Sequence, residues 1–146
     1  MNAKPKKAPR GPKTVAVVLA AGEGVRAGGR KQFREAGGRS VLRHAVDGLC
    51  ALRDVGGIVV VVPADAIAAV REDLSGVSRV LDVVEGGATR NLSSRAGVAA
   101  LPAGCATVLI HDAARPFASP ALIRRVLRAA REVGAAVPAV PVSDST

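Results

Sequence analysis

The stretch Val15-Ala-Val-Val-Leu-Ala-Ala-Gly-Glu-Gly-Val-Arg-Ala-Gly-Gly-Arg-Lys31 runs from a short apolar segment into a glycine-rich turn with cations at Arg26, Arg30 and Lys31. It reads as a strand that delivers a phosphate-holding loop. Glycines let the backbone come close to an anion and take positive φ, so successive N–H groups can point at phosphate oxygens. Lysine and arginine add full charge where those dipoles already point. The spacing Gly22-Glu-Gly24-Val-Arg-Ala27 fits G-x-G-x-x-A, but the dinucleotide fingerprint expects a helix to open at once and an acidic residue about 20 positions on. The chain instead continues through Arg30-Lys31-Gln32-Phe33 with no second strand. A Walker loop needs Gly-Lys-Ser/Thr, which is absent. The bland alternative is a flexible basic turn, against which stand Ala20-Ala21-Gly22 at the strand end and the pair Arg26 and Lys31.

The chain has 146 residues, 49% of them hydrophobic, enough for one domain with a real core. No run approaches the roughly 18 apolar residues of a membrane span, and the N-terminus lacks a signal-peptide apolar region, so a cytoplasmic protein without membrane association is expected. Residues 1–13 hold Lys4, Lys6, Lys7, Arg10 and Lys13, three prolines and no acid. Such a segment cannot bury enough apolar surface to fold, and a disordered basic tail is expected. The tail carries five of the nine net positive charges, so the rest of the chain is only moderately basic. With Phe33 and Phe117 as the only aromatics, there is no stacking platform for single strands, and no nucleic-acid partner is expected. A nucleic-acid reading would rest on the tail alone. Cys50 and Cys105 read as small buried hydrophobes in a reducing compartment.

Beyond the loop, Val41, Leu42, Ala45, Val46, Leu49 and Leu52 fall at helical spacing behind Ser40, a candidate N-cap. Ile58 to Val62 is a continuous β-branched run, too apolar for a sheet with a wet face, and a helix is expected from Asp65 to about Leu74. Val80 to Val84 and Thr107 to Ile110 read as further strands, Arg90 to Leu101 and Pro120 to Val133 as helices, and Ala136 to Val142 as a fifth strand. Strands alternating with helices predict an α/β fold, a Rossmann-like doubly wound, mostly parallel sheet with right-handed crossovers. Ligands of such sheets sit outside the carboxyl ends of the strands. Three loops at that edge carry unusual chemistry: the opening loop, Glu85 to Ser93, and His111 to Arg115.

Asp112 directly follows an apolar strand, where a carboxylate can hold Mg²⁺ bridging nucleotide phosphates; the alternative is a turn cap or a pair with Arg115. His111 reads as a packing or hydrogen-bonding residue rather than an acid or base, and His44, within a helix, even more so. Gly86-Gly87 with Arg90 and Ser93 suits a close backbone approach to a base edge or a phosphate at a helix N-terminus. The competing reading is a tight strand-to-helix turn capped by Thr89.

Together, Leu19-Ala-Ala-Gly-Glu-Gly-Val-Arg26, Arg30-Lys31-Gln32-Phe33, Glu85-Gly-Gly-Ala-Thr-Arg90 with Ser93, Val108-Leu-Ile-His-Asp-Ala-Ala-Arg-Pro116 and Pro141-Val-Ser-Asp144 resemble, in order and spacing, the 2-C-methyl-D-erythritol 4-phosphate cytidylyltransferases of non-mevalonate isoprenoid synthesis. The resemblance implies a nucleotidyltransferase domain over residues 14–146, of the nucleotide-diphospho-sugar transferase type, that moves CMP from CTP to a sugar-alcohol phosphate with Mg²⁺. By that likeness Arg26 and Lys31 neutralise the triphosphate and the five-coordinate α-phosphorus, and Asp112 holds Mg²⁺. Ala20, Ala21, Gly22, Gly24, Gly87, Arg90 and Ser93 meet the nucleotide, partly through backbone groups; Arg115 and Ser145 or Thr146 contact the sugar phosphate. The attacking phosphate oxygen is already ionised at neutral pH, so positioning and charge stabilisation suffice. The family's later segment supplies a second basic residue near the α-phosphate and an arm exchanged within a homodimer. Neither has a counterpart here, so the fold is expected to be incomplete at the C-terminus, a fragment of a longer enzyme. The alternatives are a ribitol 5-phosphate cytidylyltransferase and a truncated CTP-binding module without turnover. Arg30 stands where family members commonly have proline, an extra charge beside Lys31.

Overall fold

The computed structural model describes residues 11–24 and 28–142. In chain order its elements are β1 (Thr14–Leu19), a 3-10 turn (Lys31–Phe33), β2 (Glu35–Ala36), β3 (Arg39–Ser40), α1 (Val41–Cys50), β4 (Gly57–Val62), a 3-10 turn (Ala64–Ala66), α2 (Ile67–Asp73), β5 (Val80–Glu85), α3 (Arg90–Ala99), β6 (Thr107–Asp112) and α4 (Pro120–Val133). Four strands form one parallel sheet in the order β5-β4-β1-β6. The chain thus steps outward from β1 to β4 and β5, then returns to place β6 on the other side of β1. The reversal makes the carboxyl end of β1 the topological switch point.

β1 and β4 are buried along their whole length, as their nearly continuous apolar, β-branched-rich sequences require of strands covered on both faces. Ala16 and Val18 pack with Leu42, Val46 and Leu49 of α1 and with Ile123 and Leu127 of α4. Val17 and Leu19 point the other way, toward the smaller cluster on the α3 face. Gly97 lets α3 approach that face closely: a Cβ there would run into Val17 and lie 2.9 Å from Val61 Cγ2. The α3 face is the thinner cover, with Leu92, Val98, Val108 and Ile110 all well exposed.

Helix ends follow their capping chemistry. Ser40 Oγ accepts from Arg43 N at 3.0 Å, Thr89 Oγ1 from Leu92 N at 3.2 Å and Ser119 Oγ from Leu122 N at 3.2 Å, with Pro120 at the first turn of α4. The antiparallel pair β2–β3 is absent from the sequence reading. Its turn, Gly37-Gly38, has φ of 60° and 78°, a left-handed pair that favours glycine, and Gly-Gly is a hairpin signal.

The fifth strand expected at Ala136 to Val142 does not form. Residues 135–142 pair with no strand, and Val137, Val140 and Val142 are 84–87% exposed. Successive N–H groups of a strand point to opposite edges, so Pro138 and Pro141 remove a donor from each side. Cys50 and Cys105 are free and half-buried, and burial pushes the Cys50 thiol above its ordinary pKa. Among the described residues no helix is long and apolar enough to cross a membrane.

Candidate active site

The strand ends are held level before the loops depart. Leu19 lies opposite both Val61 and Asp112, and Val62 opposite Glu85. Hydrogen bonds continue one residue further: Ala20 N to Val61 O at 2.7 Å, Gly86 N to Val62 O at 2.8 Å and Ala113 N to Leu19 O at 2.9 Å. Ala20, Gly86 and Ala113 therefore share one row along the carboxyl edge.

In the first loop, Gly29 N donates to Gly24 O at 3.2 Å and closes a neck; Gly24, at φ 65°, lies so near Gly29 that a side chain there would collide with its carbonyl. Arg26 lies outside the described residues. Beyond the neck, buried Gln32 donates from Nε2 to Ala20 O at 2.7 Å and to Gly22 O at 2.8 Å. Gln32 is the residue sequence reasoning quoted but gave no role: its amide ties the returning arm to the strand end. The Lys31 side chain, exposed on the 3-10 turn, makes no ion pair or hydrogen bond among the described residues, while its backbone carbonyl accepts from Arg34 N at 3.1 Å.

Arg30 departs from expectation. Its guanidinium forms forked pairs with Glu23 (3.0 and 3.2 Å) and with Asp65 of the turn after β4 (2.9 and 3.0 Å). Those hydrogen bonds raise its pKa further and hold the Asp65 carboxyl below its usual value. With two carboxylates on one cation the cluster carries net negative charge, so Arg30 adds no free positive charge beside Lys31.

The second loop meets the first. A Cβ on Gly86 would run into Ala21, and Ser93, 4% exposed, lies within 3.2–3.3 Å of both Gly87 N and Gly87 O. The Ser93 hydroxyl accepts from one and donates to the other, which fixes the Gly86-Gly87 turn. Thr89 caps α3, as the competing reading required, and Arg90 at its start reaches the third loop.

In the third loop, Arg90 Nη2 and Nε donate to Asp112 Oδ1 at 3.0 and 3.3 Å, and Arg115 Nε lies 3.8 Å from Oδ2. Two cations on one carboxylate leave this cluster net positive. His111 Nε2 lies 3.0 Å from Arg115 O; a carbonyl only accepts, so Nε2 carries the hydrogen. Burial lowers the His111 pKa, and the neutral ring fastens the loop. His44 Nε2 likewise donates to Ala36 O at 2.6 Å, its ring 6.0 Å from that of Phe117.

The structure thus joins Ala20, Ala21, Gly22 and Gln32, joins Ala21 with Gly86, Gly87 and Ser93, and joins Arg90 with Asp112 and Arg115. Ser145 and Thr146 lie outside the described residues. Clefts of about 230 and 300 Å³ sit elsewhere, beside α2 and β5 and between α4 and Asp54. The strand-end edge is distinguished by its charges and backbone donors, which is what an anion site requires.

Known proteins are similar to this chain in sequence and in fold. The family model for 2-C-methyl-D-erythritol 4-phosphate cytidylyltransferase matches residues 14–146. A bifunctional enzyme IspD/IspF of Nitrobacter hamburgensis is 45% identical over 140 residues, covering 94% of this chain and 34% of its own. Another from an Anaeromyxobacter species is 46% identical over 136 residues, covering 93% and 35%. The crystal structure of 4-diphosphocytidyl-2C-methyl-D-erythritol synthase from Anaerococcus prevotii superposes with a TM-score of 0.70 at 32% identity, over 82% of this chain and 51% of that one. The chain spans about a third of the length of these curated relatives. Matched over nearly its whole sequence and over this strand-end edge, the chain belongs to the 2-C-methyl-D-erythritol 4-phosphate cytidylyltransferase family.

Proposed function

We propose that this chain holds the nucleotide for a cytidylyl transfer in which a phosphate oxygen of 2-C-methyl-D-erythritol 4-phosphate attacks the α-phosphorus of CTP. The new P–O bond forms as the bond to the β-phosphate breaks, and diphosphate leaves with the electron pair. The observation that carries the reading is the convergence, at the switch point beside β1, of a glycine loop bearing Lys31, the Gly86-Gly87 turn and the Asp112 cluster.

Among the described residues the Lys31 side chain has no partner to give up, so its ammonium is available to the charge that builds at the α-phosphorus. The Ala20-Ala21 strand end and the Gly86-Gly87 turn, fixed by Gln32 and Ser93, offer backbone groups in a rigid frame suited to a cytosine edge. Arg90 and Arg115 already face a carboxylate, and incoming phosphate oxygens offer them an equivalent partner. The sugar phosphate is assigned to Arg115, 81% exposed at its side chain. Arg26, Ser145 and Thr146 keep the roles that the family likeness gives them.

Asp112 suits a divalent cation of one kind. Among the described residues no three His, Cys, Asp or Glu side chains cluster, so a cage built from protein alone is excluded there. Mg²⁺ is commonly held by one or two carboxylates together with substrate phosphates and water, which a single strand-end aspartate fits. Bound there, Mg²⁺ neutralises phosphate charge.

The test is calorimetric titration of the chain with CTP, ATP and GTP, with and without MgCl₂, alongside a diphosphate-release assay with methylerythritol 4-phosphate and with ribitol 5-phosphate. Selective, Mg²⁺-dependent CTP binding is expected. Absence of binding, or equal affinity for purine nucleotides, overturns the reading. Release with ribitol 5-phosphate alone would transfer it to that substrate.

A further inference from the structure

We propose that Arg30 is a positioning residue: by bridging Glu23 and Asp65 it locks the neck of the glycine loop to the turn after β4 and so sets the place of Lys31. The inference rests on the nucleotide-binding reading above, which assigns Lys31 its role. Glu23 enters the neck, Arg30 leaves it, and Gly24 and Gly29 join their backbones between them. The Glu23 bond therefore closes the loop on itself. Asp65 lies 35 residues on, in the 3-10 turn Ala64–Ala66 that follows β4, and ties the closed loop to the sheet. Lys31 stands between two anchored residues, Arg30 held by charge and Gln32 held by two backbone carbonyls. Arg34 adds a bond from Nη2 to Gly28 O at 3.2 Å on the same arm.

A planar fork with five donors can serve two carboxylates at once, which a lysine ammonium cannot do with the same geometry. Both carboxylates are well exposed, so the lock is sensitive to salt.

The test compares the unaltered chain with Arg30→Ala, Arg30→Lys and Asp65→Asn, measuring amide hydrogen exchange of the loop without nucleotide and calorimetric affinity for CTP with MgCl₂. Arg30→Ala is expected to speed exchange at Gly29 about tenfold and weaken CTP binding about threefold to tenfold, with Arg30→Lys recovering little. Asp65→Asn is the deciding variant. It removes a negative charge near a triphosphate site, so electrostatics alone predicts tighter binding, whereas the lock predicts weaker binding and faster exchange. Tighter binding by Asp65→Asn, full rescue by Arg30→Lys, or unchanged Gly29 exchange in Arg30→Ala overturns the proposal. If the unaltered chain binds no CTP while Gly29 exchange still depends on Arg30 and Asp65, the functional reading falls and the lock stands.

Discussion

Replacing Gly86 by alanine tests whether the first two strand-end loops are fixed against each other. Gly86 has no positive φ, so its backbone accepts alanine and the effect is steric. The new methyl would run into Ala21 Cβ, lie 2.8 Å from Ser93 Oγ and 3.1 Å from Val61 Cγ1. None of the three can turn away: Ala21 has no rotatable side chain, Val61 is fully buried, and the Ser93 hydroxyl holds Gly87. Overpacking of this kind costs about 1–3 kcal/mol, and with three fixed neighbours the upper half of that range is expected. At roughly 2–4 °C per kcal/mol for a domain of this size, Tm should fall by about 4–12 °C. CTP affinity should fall with it, because Ala21 and Gly87 must part. Differential scanning calorimetry and nucleotide titration read the two effects. Gly22→Ala is the control: nothing lies within 4 Å of its Cβ position and its φ is ordinary, so Tm should stay within about 1 °C. A Gly86→Ala chain with Tm and CTP affinity both unchanged would refute the fixed contact.

Arg79 donates from Nη1 to the carbonyls of Cys50, Leu52 and Val55 at 2.7–3.0 Å, closing the end of α1 and its turn into β4. Arg79→Met keeps the apolar stem and strands those acceptors, so the urea midpoint should drop by the equivalent of about 1–3 kcal/mol; an unchanged midpoint means water replaces the guanidinium freely. The Asp65 carboxyl, held low by Arg30, contributes stability that is complete above its unfolded-state pKa near 4 and lost as pH falls through the lower folded-state value. Asp65→Asn should therefore flatten the loss of stability below about pH 4 and leave its slope above pH 5 alone, as acid titration of the unfolding midpoint will show. Lys31→Ala, placed in an active enzyme carrying this domain, should lower turnover far more than CTP affinity, and a loss confined to binding contradicts a role at the α-phosphorus.

What could be read from the sequence was whatever has a local cause. The β-branched run of β4, the Ser40 cap and the Pro120–Val133 helix each follow from neighbours a few residues apart, and the structure places them as expected. The failed strand at 136–142 had a local warning in Pro138 and Pro141, outweighed by its apolar composition. The hairpin had one in Gly37-Gly38. Gln32 and Arg79 gave none, because their acceptors are backbone carbonyls 10 to 29 residues away whose position only the fold supplies.

Charge is where the two readings differ most in consequence. Counted along the sequence, Arg30 and Lys31 look like equal contributors to a basic loop, and Asp112 looks like a carboxylate placed for a metal ion. In three dimensions Arg30 is outnumbered by Glu23 and Asp65, while Asp112 is outnumbered by Arg90 and Arg115. The three-residue cluster around Arg30 at the β4 side is therefore net negative and the Asp112 cluster at β6 net positive, with β1 between them. Of the two clusters the one at Asp112 has the sign that suits an anion, and it lies on the side on which the strand order reverses. The ion pairs thus remove Arg30 from the count of available cations on the arm, whereas the Lys31 side chain keeps its charge without a partner among the described residues.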